Sequence, residues 1–415
     1  MTNRLVHLIL IISLIAGSDM PAWSQDSLAL DQRVDLILAD FPTADRSSTI
    51  LACEALLENG PEAWKEVISR LVPIGFGDDV SARYALSTLA KYLGAQQGTA
   101  DREQVEKEFI QSINEQDLAL DVQAFLIDQL QYFGTNQSVS GLQEIVVTIC
   151  EPVVATWNAI GTNDALEAMI KQVSSVMGTC KINLTKSIAT YSHPQAIATL
   201  RTLVNDPDPV VSEIALEGLA TNGDPSAYAS LTSQAVDARG FERLIKFGNA
   251  RGQAGDVNIV NSIAKSVMKS DQSSQIKSRA LTMASTFLGA GAKKYLLKAL
   301  KKGDEDLRTG AIEALSLNRE IPLTSILKYY DKLPAVSQLK LLSISGARNE
   351  AMALPHARKA LQASDHELQL AGIRTISSIQ GRESFAELAS VFRSTSDPIL
   401  LSHISSELSH HTDDS

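Results

Sequence analysis

The stretch from Asp206 to Pro225 constrains the fold of this chain more than any other. It reads DPDPVVSEIALEGLATNGDP, with two turn-forming Asp-Pro steps at its start and Gly-Asp-Pro at its end. Between these turns Val211, Ala215 and Leu219 are spaced four residues apart, so a helix places them on one face. The pattern predicts one arm of a helical hairpin. Because such a hairpin cannot bury its apolar face alone, it requires neighbours of the same kind.

The same large, small, large pattern recurs downstream. The copies begin one or two units of about 31 residues apart, which is a period typical of a solenoid. A small residue at the centre of a copy lets a neighbouring helix approach closely. We therefore predict that the repeat core consists of Val211, Ala215, Leu219, Ile276, Ala280, Ala284, Leu307, Ala311, Leu315, Leu368, Gly372, Ile376, Leu400, Ile404 and Leu408.

Four of the five copies have an aspartate three residues before the leading position. A short acidic side chain there accepts hydrogen bonds from the free N–H groups of the first turn and complements the helix dipole. We predict helix caps at Asp208, Asp304, Asp365 and Asp397. In the remaining copy Ser273 can cap without the charge.

These residues resemble a HEAT-like repeat of the short bacterial type, which also occurs in the phycobilisome-lyase group. Residues 206–231 fit that pattern without a gap, although Ser212 replaces the usual arginine and Asn222 the usual leucine. The resemblance implies an all-α fold, a right-handed α-solenoid of stacked antiparallel helix pairs, also described as a HEAT-like or armadillo-like superhelix. It implies a scaffold that binds other macromolecules and does not by itself imply an enzyme.

The helical period extends along the rest of the chain, although the repeat signature fades before residue 139. We predict N-terminal capping helices over 25–60, about ten helix pairs over 61–408, and a disordered tail over 409–415. Residues 237–256 carry four glycines among three arginines, and glycine at that density weakens a helix. We interpret this segment as a degenerate repeat, with a hinge or binding loop as the alternative.

The first 24 residues have the features of an export signal. Arg4 precedes the apolar run 5–16, and Ala22-Trp23-Ser24 fits the small-x-small rule for cleavage before Gln25. An uncleaved anchor is the alternative, but the run is shorter than the roughly 20 residues of a membrane-spanning helix. We predict an exported protein of the bacterial periplasm or medium, without a membrane span after cleavage.

Three cysteines follow the predicted cleavage site: Cys53, Cys150 and Cys180. Cys150 and Cys180 are about one repeat apart, so they can occupy equivalent places in adjacent hairpins. An oxidising compartment would allow a disulfide between them. The alternative is two buried cysteines that act as small apolar residues.

The formal net charge of −11, from 37 basic and 48 acidic residues, argues against general binding to nucleic acid or to anionic membranes. The basic residues form one local cluster, in which Lys294, Lys298 and Lys301 share a helix face. We identify these three as a possible binding patch for an acidic partner. A charged outer helix face is the alternative.

No catalytic constellation emerges from the sequence. The Ser-x-x-Lys triplets at Ser274, Ser325 and Ser337 lack the companion motifs of serine acyl-enzymes. We predict no cofactor, no metal and no catalysis. The expected function is an exported scaffold that binds a protein or peptide along its concave helical surface. The alternatives are an enzyme or chromophore-attachment factor related to lyase-type HEAT proteins, and a self-assembling envelope organiser.

Overall fold

The computed structural model describes residues 28–96, 98–115 and 118–410. These residues form helices joined by short turns, and they include no β-strand. The predicted signal peptide and residues 411–415 of the predicted tail lie outside the described part of the chain. The chain divides into two compact units: unit 1 ends at Ile214 and unit 2 begins at Ala215. The prediction of an all-α solenoid is confirmed.

The described residues of unit 1 form short helices and a 3₁₀ turn at Ile145–Val147. In chain order the helices are α1 (Leu30–Leu38), α2 (Arg46–Glu58), α3 (Gly60–Ser69), α4 (Val80–Gly94), α5 (Ala100–Asn114), α6 (Leu120–Phe133), α7 (Asn136–Gly141), α8 (Cys150–Ile160), α9 (Asn163–Val173), α10 (Gly178–Ile188) and α11 (Pro194–Leu203). The division between the units falls within α12 (Pro209–Thr221).

The helices of unit 1 alternate between two layers. Each even-numbered helix from α2 to α10 packs on the next even-numbered one, and each odd-numbered helix from α1 to α11 packs on the next odd-numbered one. We call the odd-numbered helices first helices and the even-numbered ones second helices. Since each pair contacts mainly its neighbours along the chain, unit 1 has the layered packing of a helical-repeat solenoid.

Unit 2 continues the alternation. Its helices are α13 (Tyr228–Gln234), α14 (Ala238–Gln253), α15 (Val257–Val267), α16 (Ser274–Phe287), α17 (Lys293–Lys302), α18 (Glu305–Ser316), α19 (Thr324–Leu327), α20 (Ala335–Ala347), α21 (Leu354–Ala360), α22 (His366–Gln380), α23 (Phe385–Ser394) and α24 (Pro398–His410). Its 3₁₀ turns are Pro225–Ala227, Gly289–Ala292, Tyr330–Lys332, Ala351–Ala353 and Gly381–Ser384.

The second helices of unit 2 form an unbroken stack in which α14, α16, α18, α20, α22 and α24 pack in order. Small residues keep these helices close together. A Cβ atom added to Gly310 of α18 would lie 2.1 Å from the Ser278 hydroxyl oxygen of α16. That separation is far inside van der Waals contact, so the two helices approach each other because Gly310 has no side chain.

The structure buries the residues predicted as the repeat core. Ala215, Ala280 and Ala311 are fully inaccessible to solvent, and Gly372 is buried as well. Leu408 is the exception, because it lies near the end of α24 and remains half-buried. That helix continues to His410, two residues into the predicted tail.

The glycine-rich segment is not irregular. It forms α14, which begins after Asp237, where the carboxylate accepts a hydrogen bond from the Gly240 N–H at 2.8 Å. A Cβ at Gly248 would lie 2.4 Å from the Met283 sulfur, and one at Gly252 would lie 2.4 Å from the Phe287 ring. The hinge or binding-loop alternative is therefore wrong, because the segment forms a regular second helix of a helix pair. Close packing of α14 against α16 accounts for these two glycines.

Candidate functional site

A groove of about 490 Å³ lies between α2 and α4 in unit 1. We call it the α2–α4 groove. Its walls combine two basic residues, two tyrosines and three threonines, and they include no carboxylate, although the chain as a whole has a net charge of −11. The lining residues are Thr43, Arg46, Thr49, Ile50, Tyr84, Thr88, Lys91, Tyr92, Ala95 and Gln96.

The two helices that form the groove run in the same direction. At one end the Ser81 hydroxyl donates to the Phe41 carbonyl at 3.2 Å, and at the other the Tyr92 hydroxyl donates to a Glu54 carboxylate oxygen at 3.3 Å. Arg46, in the first turn of α2, therefore lies towards the opposite end of the groove from Lys91, in the last turn of α4. Arg46 lies eight residues before Glu54 and Lys91 one residue before Tyr92, so the Glu54–Tyr92 contact places Arg46 and Lys91 about 10 Å apart along the helix direction.

The outward face of α4 extends this surface. A second cavity of about 400 Å³ is lined by Val80, Arg83, Tyr84, Ser87, Thr88 and Lys91. Tyr84, Thr88 and Lys91 line both cavities, so they form the ridge between them. The Tyr84 side chain is 48% exposed, so its ring offers apolar surface to a partner.

Residues around α4 hold its outward face in place. The Arg83 guanidinium donates to Asp79 at 2.8 Å and to the Val72 carbonyl at 2.9 Å, and it lies 4.8 Å from the Phe125 ring centroid. These contacts occupy Arg83, so it serves to anchor the loop before α4. Asp79 stands at the N-cap position of α4 but does not cap it, because its other bond is from the Val72 N–H at 3.0 Å.

The other two cations of the surface have no such partners. Among the described residues, neither Arg46 nor Lys91 forms an ion pair with a carboxylate. The Lys91 ammonium lies 5.6 Å from the centroid of the Tyr132 ring on α6, a distance that allows a weak cation–π contact. Both side chains are exposed, so both can pair with an added anion.

The tyrosine at the far end of the groove stays neutral. Burial raises the pKa of Tyr92, and the nearby Glu54 carboxylate raises it further despite the opposing effect of Gln96. Beneath it, Cys53 is fully buried, and burial raises the pKa of this thiol to about 11. The site therefore presents cations, hydroxyl groups and ring faces rather than an activated nucleophile.

The aspartates predicted as caps lie at helix starts in the structure. Their carboxylates accept main-chain hydrogen bonds from the first turn, and the Ser273 hydroxyl accepts one from Ile276 at 3.5 Å. The bonds are Val210 N–H to Asp208 at 2.8 Å, Leu307 N–H to Asp304 at 2.9 Å, Leu368 N–H to Asp365 at 3.1 Å and Ile399 N–H to Asp397 at 2.8 Å.

The lysine patch identified in the sequence is largely engaged within the protein. The Lys294 ammonium donates to the Asn261 side chain at 2.8 Å, and Lys298 donates to the Met268 carbonyl at 3.0 Å. Both bonds join α17 to the preceding first helix, α15, and its C-terminal end. Lys301 is exposed at the end of α17. The structure thus places two of the three lysines in contacts between neighbouring first helices.

Cys150 and Cys180 form a disulfide in the structure, with their Cα atoms 5.6 Å apart. Cys150 begins α8 and Cys180 lies in the first turn of α10, so the bond joins two consecutive second helices. It is distant in sequence from the α2–α4 groove. In the described part of the chain no group of three potential metal ligands comes together.

No sequence motif predicts the α2–α4 groove. Its lining residues come from two helices that are separated by α3, and they share no motif. One signal was available, because aromatic residues make up only 5% of the chain. Three of its eight tyrosines, Tyr84, Tyr92 and Tyr132, fall on the consecutive second helices α4 and α6.

Comparison with known proteins agrees with this architecture. Residues 178–244 match the family model described as HEAT repeats. No curated protein sequence matches the chain. No helix among the described residues is both long enough and apolar enough to cross a membrane.

Solved structures share the fold at low sequence identity. The crystal structure of Kap121p aligns with a TM-score of 0.52 and 12% identity over 93% of this chain and 54% of that one. A Kap121p mutant aligns with a TM-score of 0.46 and 12% identity, over 94% of this chain and 46% of that one. An engineered protein aligns with a TM-score of 0.34 and 14% identity, over 84% of this chain and 99% of that one. The chain thus spans about half the length of Kap121p, and the first alignment shows a common fold.

Proposed function

We propose that this HEAT-like repeat protein is an exported scaffold that binds a protein or peptide through the outward face of its second helices, without catalysis. HEAT-repeat solenoids commonly serve as protein-binding scaffolds. One observation carries the proposal. Stacking of the second helices in unit 1 leaves an open surface with Tyr84, Arg46 and Lys91 exposed, although the same helices bury their apolar faces.

The surface favours a macromolecular partner over a small substrate. Its two cavities adjoin each other along α4 rather than forming an enclosed pocket. Pockets that bind small ligands are usually concave enough to bury most of the ligand. An open surface with exposed rings and cations suits contact along a peptide or a protein face.

Export is supported by two independent features. The N-terminal sequence has the order of charge, apolar run and small residues that signal peptidases recognise. The Cys150–Cys180 disulfide suits an oxidising compartment such as the periplasm or the medium. Mass spectrometry of the protein purified from its native host tests this step. We expect a mature chain that begins at Gln25, and an intact N-terminus in the cytosolic fraction would refute it.

Site-specific photo-crosslinking in the native host tests the binding face. A photoreactive phenylalanine analogue is placed at exposed second-helix positions, Tyr84 and Thr282, and at exposed first-helix positions, Gln104 and Ser262. We expect a defined partner to be captured from the second-helix positions only. Equal capture from both layers, or no capture from Tyr84 and Thr282, would overturn the proposal. Crosslinks to copies of the same chain alone would favour self-assembly.

A further inference from the structure

From the composition of the α2–α4 groove we infer that its occupant is an acidic segment of the partner protein, in which two carboxylates flank apolar side chains. This inference rests on the proposed function and names the chemistry of what is bound. Arg46 and Lys91 supply the positive charge, Tyr84 supplies apolar surface beside Arg46, and Ile50 supplies apolar surface between the two cations.

The first argument is charge complementarity. In a chain with 48 acidic residues, the groove wall holds two cations and no carboxylate. Of the three cations near α4, only Arg83 is paired with an aspartate, and it also donates to a carbonyl. Arg46 and Lys91 keep their full charge available, and unpaired exposed cations on either side of a groove attract a ligand of opposite sign.

The second argument is geometric. Because α2 and α4 run in the same direction, Arg46 and Lys91 lie towards opposite ends of the groove, about 10 Å apart along the helix axis. An extended peptide advances about 3.3 Å per residue, so carboxylates roughly three residues apart match that distance. Long basic side chains tolerate small differences in this spacing.

The third argument concerns the middle of the groove. Ile50 lies one helical turn beyond Arg46 and therefore between the two charged ends, whereas Tyr84 lies beside the Arg46 end; the Thr43 and Thr49 hydroxyls are hydrogen-bonded to each other at 2.7 Å. Since the Thr49 hydroxyl donates to the Asp45 carbonyl at 2.8 Å and accepts from Thr43, neither hydroxyl has a free donor, and this part of the groove favours aliphatic or aromatic side chains over further charge. The Glu54 carboxylate, which accepts a hydrogen bond from the Tyr92 hydroxyl, places one negative charge beyond the end of the groove where Lys91 lies. That carboxylate limits how far an acidic occupant can extend.

The alternative source of negative charge is a phosphate or sulfate polyanion, such as a nucleic acid or an anionic membrane. The net charge of −11 opposes long-range attraction to such extended surfaces. Two separated cations also provide few contacts for a polyanion, whose affinity grows with the number of neutralised charges. A short acidic peptide requires only these two.

Fluorescence anisotropy with the full mature chain tests the inference. The probe is a labelled octapeptide in which two glutamates flank a leucine–phenylalanine pair, and its control has glutamine in place of both glutamates. We expect the acidic peptide to bind at least about tenfold more tightly than the control, with an advantage that shrinks as salt rises. Equal affinity of the two peptides would overturn the inference.

Substitutions then locate the site. The double variant Arg46→Gln/Lys91→Gln should weaken binding of the acidic peptide by about tenfold or more, because both ion pairs are removed. The matched control Lys294→Gln/Lys301→Gln removes two lysines from α17 and should change affinity by less than about twofold. Far-UV circular dichroism should show both variants folded. An unchanged affinity in the first variant, or an equal loss in the second, would contradict the inference.

Competition experiments distinguish an acidic peptide from a polyanion as the ligand of the groove. Heparin and vesicles of anionic phospholipid should displace the peptide only weakly at physiological salt. Tighter binding of either through Arg46 and Lys91 would assign the groove to a polyanion and overturn the inference. If the peptide fails to bind while photo-crosslinking from Thr282 still captures a partner, the inference falls and the proposed function stands. If neither Tyr84 nor Thr282 captures a partner, the proposed function falls.

Discussion

Each of the two compact units alternates first and second helices, but the contacts that stabilise the helix pairs differ between the units. In unit 2, several devices recur from pair to pair. An aspartate caps α14, α18, α22 and α24, small residues lie in the second helices, and long basic side chains reach back to the preceding pair. Arg348, for example, donates to the Asn318 carbonyl at 2.6 Å and to the Ile321 carbonyl at 3.0 Å. Unit 1 uses individual contacts, such as the buried carboxylate of Glu106 and the Cys150–Cys180 bond.

This difference teaches where a repeat protein can specialise. Where the signature is strong, its residues are committed to stacking one pair on the next. In the part of unit 1 before residue 139, where the signature fades, contacts that occur once replace it, and second-helix positions such as Tyr84 and Lys91 are released for recognition. The following predictions test that contrast, beginning with the largest expected effect.

Removal of the Glu106 carboxylate should destabilise the protein most. This fully buried side chain accepts hydrogen bonds from the Thr135 N–H at 2.6 Å and the Ser138 N–H at 2.9 Å, and from both hydroxyls. Glu106→Ala leaves buried donors at the start of α7 without an acceptor. We expect the free energy of unfolding to fall by about 3–5 kcal/mol in urea titrations.

The matched control for that variant is Glu313→Gln, which removes an exposed ion pair with Lys340 in unit 2. An exposed pair contributes little because water and salt screen it, so the loss should stay below about 1 kcal/mol. Similar losses in the two variants would show that Glu106 is not specially important to unit 1.

Loss of the disulfide should have the next largest effect. The bond closes a segment of 30 residues, so Cys150→Ala/Cys180→Ala should lower the free energy of unfolding by about 3 kcal/mol. Differential scanning calorimetry measures the change, and wild-type protein treated with a reductant should approach the double variant. A reductant that leaves the wild-type melting temperature unchanged would contradict the stabilising effect of this disulfide.

Close helix approach in unit 2 predicts a smaller effect at Gly372. A Cβ there would lie 2.7 Å from the Ala357 carbonyl oxygen, which is backbone and cannot rotate away. Gly372→Ala should therefore cost about 1–3 kcal/mol. Gly346, whose added Cβ would meet nothing nearer than 3.5 Å, is the control. Gly346→Ala should be neutral or stabilising by up to about 1 kcal/mol, because alanine favours helix. The reverse order in urea titrations would refute the packing argument.

The caps predict the smallest effect, and it depends on pH. Asp304→Ala should cost about 1 kcal/mol near neutral pH. Hydrogen bonds from the Ser274 hydroxyl and the Leu307 N–H lower the pKa of Asp304 below 3.8. A lowered folded-state pKa means that the contribution is present above the unfolded pKa and is lost as pH falls through the folded value. The difference between variant and wild type should therefore shrink below pH 3.8. A difference that persists in acid would exclude the carboxylate as its cause.

Local features of the fold could be predicted from the sequence because they depend on residues within one helix. Asp304 and Ala311 belong to the same short pattern, so a single copy fixes both cap and buried face. The glycines of α14 predict a weak helix, because glycine destabilises an isolated helix, but they are stabilising where another helix needs the space. Only the partner side chains Met283 and Phe287, some 35 residues away, reveal that need.

The candidate site could not be predicted in the same way. Arg46 and Lys91 meet one groove only because α2 packs on α4, and no sequence spacing records that contact. For the lysine patch, the sequence predicts the shared helix face but not the groups that the lysines contact. Its residues do share a helix face, but Lys294 and Lys298 extend to groups about 30 residues earlier in the chain, beyond the reach of a pattern confined to one helix.

Hydrogen–deuterium exchange of the full mature chain, with and without the acidic octapeptide, tests most directly whether recognition lies on the second helices of unit 1. Bound peptide should slow amide exchange in Arg46–Glu58 and Val80–Gly94 and leave Ser274–Phe287 and Glu305–Ser316 unchanged. Slower exchange in the two unit 2 helices, with none in α2 and α4, would contradict the assignment of peptide binding to the second helices of unit 1.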